Sequence, residues 1–148
     1  MGYTIKIGNA VPVMPQGEDR WAVVGGESPD APSFPGEEAS STRSPSYTQW
    51  ANFCRDVNLV SLLGERGALM ASHPGVALLR PSDLAAVRAA LLAWRERPWP
   101  TAERIAGFND YDVEPDPRYD GNLARLLWLE FWIDWALRNC EYPALGNT

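Results

Sequence analysis

The spacing of hydrophobic positions changes along the chain, and each change marks a new element. Tyr3, Ile5 and Ile7 alternate with Thr4 and Lys6, the two-residue period of a half-buried strand, and Gly8-Asn9 offers a place to turn or stop. Trp21 to Val24, closed by Gly25-Gly26, reads as a second strand, so residues 1–24 are expected to form a small β-hairpin or ribbon. Residues 25–44 and the two that follow are rich in Gly, Pro, Ser and Glu. They read as a long loop, pinned to the core at Phe34, and as the first place to look for a binding surface.

Beyond the loop the period becomes helical. Ser44-Pro45 offers an N-cap and a proline for the first turn, and Tyr47, Trp50, Ala51, Cys54 and Val57 recur on one face, predicting a helix from Pro45 to about Val57. His73-Pro74-Gly75 signals a turn. Pro81 or Ser82 opens a second helix with a Leu84, Val87, Leu91 and Trp94 stripe, which Pro98 and Pro100 end. Thr101 to Ile105 is expected to add a short turn of helix. The third main helix runs from about Asn122 to Tyr142, about 31 Å at about 1.5 Å per residue, long enough to cross the whole domain.

On a helical wheel this last segment divides into three sectors. Leu126, Ile133, Leu137 and Cys140 form an aliphatic core face, while Glu130, Asp134, Arg138 and Glu141 face water. Trp128, Trp132 and Trp135 collect with Asn139 on a third face, beside Arg125. A cation among apolar neighbours needs a partner, because an unpaired buried charge costs several kcal/mol. The internal answer is an acid such as Asp120 or Asp116, with the guanidinium stacked on an indole; the external answer is an anionic ligand or partner group. The tryptophans carry the same two readings, internal packing against Trp50, Tyr47 and the strands, or an interface.

The fold class expected from these patterns is mainly α (α+β): three main helices around the long tryptophan-rich one, with a small N-terminal β-ribbon and long loops. The chain has 148 residues, enough to bury roughly two thirds of its unfolded surface, and a single domain is expected with residues 45–148 as its helical part. Charged residues make up 22% and the most apolar run is broken by Arg125, Glu130 and Asp134, so no membrane span is expected. The first residues lack the apolar run of a secretory signal, and no export is expected. A net charge of -6 argues against direct nucleic-acid binding.

The search for chemistry returns little. Cys54 and Cys140 fall at apolar helix positions and read as buried thiols. His73 is the only histidine and reads as a turn residue. Asp110, Asp112, Glu114 and Asp116 have the spacing of a calcium loop, but Pro115 and Gly121 stand where such a loop needs glycine and a bidentate glutamate, so a solvated acidic loop is expected. Nucleophile elbows, phosphate-binding glycine loops and zinc motifs are absent, and neither a cofactor nor an enzymatic activity is expected.

Three stretches, RSPSYTQWANFC at Arg43–Cys54, HPG at His73–Gly75 and YDGNLARLLWLEFWIDWALRNCEYPA at Tyr119–Ala144, resemble a family of small, uncharacterised acidic proteins encoded in phage and prophage genomes. The resemblance implies a setting, the cytoplasm of an infected bacterium, and no reaction. The expected role is a non-enzymatic accessory protein that binds a host factor, such as a component of antiviral defence. A minor virion part, or sequestration of a nucleotide-like anionic ligand by Arg43, Tyr47 and Arg125, are the alternatives. The candidate binding residues are Arg43, Tyr47, Trp50, Arg125, Trp128, Trp132 and Asn139.

Overall fold

A computed structural model describes residues 1–13, 20–33, 39–107 and 116–148. Phe34 and most of the acidic loop, including Asp110, Asp112 and Glu114, lie outside the described residues. The first strand, β1 (Ile5–Val13), is the organising strand of a five-stranded sheet. On one side it pairs antiparallel with β2 (Arg20–Gly25) and β3 (Thr42–Arg43). Two short helices follow, α1 (Tyr47–Asp56) and α2 (Val60–Leu63), then β4 (Gly75–Leu78), α3 (Pro81–Glu96), α4 (Gly121–Asn139) and β5 (Pro143–Asn147). β5 enters between β1 and β4, antiparallel to both, giving the order β2-β1-β5-β4.

This corrects the mainly helical expectation. The architecture is α+β, 38% helix and 23% strand, with two main helices: α4 packs against β1 and β5 of the sheet, and α3 packs on α4. Two strands sit inside the stretch read as purely helical. The long helix stops at Asn139 instead of Tyr142, and the extended backbone at Cys140 leads the chain into β5. The segment 143–147, PALGN, has no alternation of bulky apolar side chains, because as an inner strand it is hidden by its neighbours rather than by its own pattern. The short helix expected at Thr101–Ile105 is replaced by bends, with Ile105 bridged to Tyr119.

The register decides what the sheet presents to the helices. Ile5 lies opposite Asn147 and Ile7 opposite Leu145, while Gly75 and Ala77 take the same two partners from β4. Directly opposed residues share a face. That face joins Ile5, Ile7 and Leu145 to Leu126, Leu129, Ile133 and Ala136 of α4 in one core, and it places Asn147 at its edge, beside the turn before β4. The charged sector of α4 turns towards α3: Arg88 lies 3.2 Å from Glu130 and 3.7 Å from Asp134, and Arg138 pairs with Asp134 at 2.6 Å.

Candidate functional site

At the start of α1, Ser46 and Gln49 cap each other: the Ser46 hydroxyl accepts from the Gln49 N–H at 3.1 Å and the Gln49 side chain accepts from the Ser46 N–H at 3.3 Å. This is a capping box, and it moves the cap from the expected Ser44 to Ser46. Tyr47 therefore begins the first turn, 37% exposed. Residues 1–3 lie against that turn, since Tyr3 N–H donates to Pro45 C=O at 3.0 Å and Tyr47 N–H to Met1 C=O at 3.3 Å.

The facing wall is the connection from α2 to β4. Gly67 N–H bonds Gly64 C=O, Met70 N–H bonds Gly67 C=O, and the left-handed backbone of Arg66 tightens the bend. Buried Leu69 and Met70 anchor it, and the Trp50 indole N–H ties α1 to the end of α2 through Leu63 C=O at 2.7 Å. Between the walls is an open cleft of about 680 Å³, within the range of about 300–1,000 Å³ usual for ligand sites. Tyr3, Tyr47, Trp50, Glu65, Arg66 and His73 supply its aromatic and charged lining.

Its polar centre is a chain of three side chains. His73 Nδ1 lies 2.5 Å from Asn147 Oδ1, and His73 Nε2 lies 3.1 Å from the Tyr47 hydroxyl. Asn147 is 1% exposed and its amide N–H₂ donates to Ser72 C=O at 2.9 Å. A carbonyl can only accept, so the orientation of the Asn147 amide follows from that contact. Its oxygen then requires a proton on Nδ1, and in the tautomer that carries it there Nε2 accepts from the Tyr47 hydroxyl. The rings of Tyr3, Tyr47 and His73 also meet edge to face, with centroids 4.7, 4.8 and 5.9 Å apart. The Tyr3 phenol is pushed above its ordinary value, first by burial and then by the negative charge of Glu65.

The sequence candidates fall into separate places. Tyr47 and Trp50 belong to the cleft. Arg43 lies against α4 instead, its guanidinium 5.9 Å from the Trp128 ring centre, and burial brings its pKa down to about 10, with Arg125 adding to the fall and Tyr119 opposing it. Arg125 is answered by neither Asp120 nor Asp116 as expected. It donates to Asn122 at 3.4 Å and lies over the phenyl ring of Phe53, not an indole, because Asp120 and Asp116 are engaged by Arg104 and Arg118.

Trp128 and Trp132 are core side chains, 1% and 0% exposed. The chain's own loop covers part of the tryptophan face: the Trp128 indole donates to Ser40 C=O at 2.7 Å, and Gly26 lies so close to Trp135 that a Cβ there would sit 2.3 Å from the ring. Asn139 is exposed and donates to Trp135 C=O at 2.8 Å, closing the last turn of α4. His73, Asn147, Tyr3 and Glu65 were missed. His73 and Asn147 are 74 positions apart, and only the pairing of β4 with β5 brings them together.

Among the described residues no group of three or more His, Cys, Asp or Glu is placed to hold a metal, and no helix is long and apolar enough to cross a membrane. Both cysteines are free thiols. Burial pushes the Cys54 thiol up to about 12 and also raises Cys140. A thiolate reagent at pH 8 is therefore expected to leave native Cys54 unmodified and to react with it only after denaturation, as followed by intact-protein mass spectrometry. Comparisons with protein families, curated proteins and solved structures each give no match to this chain.

Proposed function

We propose that the chain is a non-enzymatic accessory protein of the phage-encoded kind its sequence resembles, and that it engages a host protein through the cleft between α1 and the 64–73 connection. The observation that carries this reading is the cleft itself. Tyr3, Tyr47 and His73 are held there by mutual ring contacts and by the buried Asn147. Aromatic side chains fixed in advance lose little entropy on binding, and they dominate the energy of protein contacts. The tryptophan face carries less weight as a contact surface, since Trp128 and Trp132 are consumed by the core.

Affinity capture from infected bacterial cells tests the proposal. The unaltered protein is expected to retain a host protein. Ala51→Trp and Ala71→Trp, which fill the cleft from opposite walls, are expected to lose it without a change in melting temperature. Leu92→Glu, at an exposed position on α3, should retain it. Capture indifferent to both cleft substitutions, or recovery of the protein only with sedimenting phage particles, would overturn the reading.

A further inference from the structure

We infer that the group this cleft reads on its partner is a guanidinium, the side chain of an arginine; the inference rests on the cleft being the docking surface. The argument begins with the direction of the protons. Asn147 donates to Ser72 C=O, and in the tautomer this amide orientation selects, His73 donates to Asn147 and Tyr47 donates to His73. Each donation points inward, so the hydroxyl proton of Tyr47 is spent on His73. What Tyr47 offers the cleft is a pair of oxygen lone pairs, polarised further by the chain behind them. An oxygen in this state accepts hydrogen bonds and repels anions.

Two further features select a cation among donors. Glu65 lies in the lining, and after burial its negative charge is the largest influence raising the Tyr3 phenol, so a carboxylate acts on the aromatic cluster. The rings of Tyr3 and Tyr47 stand edge to face, which leaves π-faces able to attract a positive charge. Arg66, the cation of the lining, is exposed to screening water as Glu65 is, but of these two neighbours it is Glu65 whose charge acts on the Tyr3 phenol. The protein's net charge of -6 favours the approach of a basic partner.

Guanidinium suits this surface better than ammonium. It is planar, so it can lie on one ring while its edge donates to Tyr47 Oη and the Glu65 carboxylate together, and it gives up its hydration more readily. The cleft's volume leaves room for the arginine stem and adjoining backbone, as a peptide segment requires.

The test uses the intact protein and four probes: a short blocked peptide with one central arginine, the same peptide with lysine, the same with citrulline, and adenosine monophosphate. Nuclear magnetic resonance titration is expected to move the signals of Tyr3, Tyr47 and His73 with the arginine peptide. Citrulline keeps the shape and most N–H groups but not the charge, and it is expected to bind about tenfold or more weakly, as are Tyr47→Phe and Glu65→Gln with the arginine peptide. The single imidazole also reports directly through its nitrogen shifts, with the neutral ring expected to carry its proton on Nδ1.

Tighter binding of adenosine monophosphate than of the arginine peptide would overturn the inference, as would equal affinity for citrulline or a proton on Nε2. Free arginine amide serves as a source control: the peptide should bind more tightly, and equal affinity would sink the assignment to a protein partner. If arginine peptides leave the spectrum unchanged while the cleft-filling substitutions still abolish host-protein capture, the docking surface stands and the guanidinium assignment falls.

Discussion

Trp132→Ala is expected to lower stability by about 3–5 kcal/mol, a large fraction of the roughly 5–15 kcal/mol typical of a whole domain. The side chain is fully buried in the middle of α4, edge-on to both Phe131 and Trp135, so truncation leaves a cavity bounded by elements that cannot all close on it. Thermal denaturation should show a fall in melting temperature of roughly 10 °C or more. A gentler pair of substitutions isolates the polar part. The Trp132 indole N–H is buried with no hydrogen-bond partner among the described residues, whereas that of Trp128 donates to Ser40 C=O. Trp132→Phe removes an unsatisfied donor along with some volume; Trp128→Phe removes similar volume and strands an acceptor. Trp128→Phe is therefore expected to cost about 1–2 kcal/mol more than Trp132→Phe. Equal costs would mean that the Trp132 indole finds a partner after all.

The long helix was legible because one segment carries its whole signal, a run of apolar residues broken at helical intervals by charges. Its environment was not. A wheel separates faces but does not name what lies opposite, so Glu130 and Asp134 of the sector read as water-facing in fact meet Arg88 of α3, and the tryptophan face meets the chain's own Gly26 and Ser40. β5 escaped for the opposite reason: its five residues owe their conformation to β1 and β4 rather than to local preference. The same pairing hid the cleft's chemistry. His73 in a His-Pro-Gly turn is an ordinary turn residue until the register of β5 puts Asn147 behind its ring. Tyr47 was a candidate as an aromatic face acting with Arg43 and Arg125 on a nucleotide-like ligand, and the S-x-x-Q pattern from Ser46 to Gln49 was there to be read as the cap that positions it.

Asp120→Ala is expected to cost about 3–5 kcal/mol, although the residue lies outside the lining of the cleft. Its carboxylate is 2% exposed and serves three donors at once. Oδ1 caps α4 by accepting from Leu123 N–H at 3.0 Å, while Oδ2 accepts from the Trp94 indole at 2.7 Å and lies 3.5 Å from Arg104 Nε. Arg104 in turn donates to Trp94 C=O in the last turn of α3 at 2.6 Å and to Arg97 C=O just beyond its end at 2.7 Å, and lies over the Trp99 ring. One ion pair thus joins the C-terminal end of α3 to the N-terminal end of α4. Removing the acid leaves a cation only 11% exposed without its counter-charge, together with two donors lacking acceptors. Asp120→Asn should rescue little, because both carboxylate oxygens accept and an amide must point its own N–H₂ at one of those donors. In a double-mutant cycle, Asp120→Ala with Arg104→Ala is expected to cost less than the sum of the single changes by about 1–3 kcal/mol, since the second substitution removes the charge that the first exposes. Additive costs in denaturant unfolding would show that the two residues stabilise the helix ends independently, and that each end holds without the other.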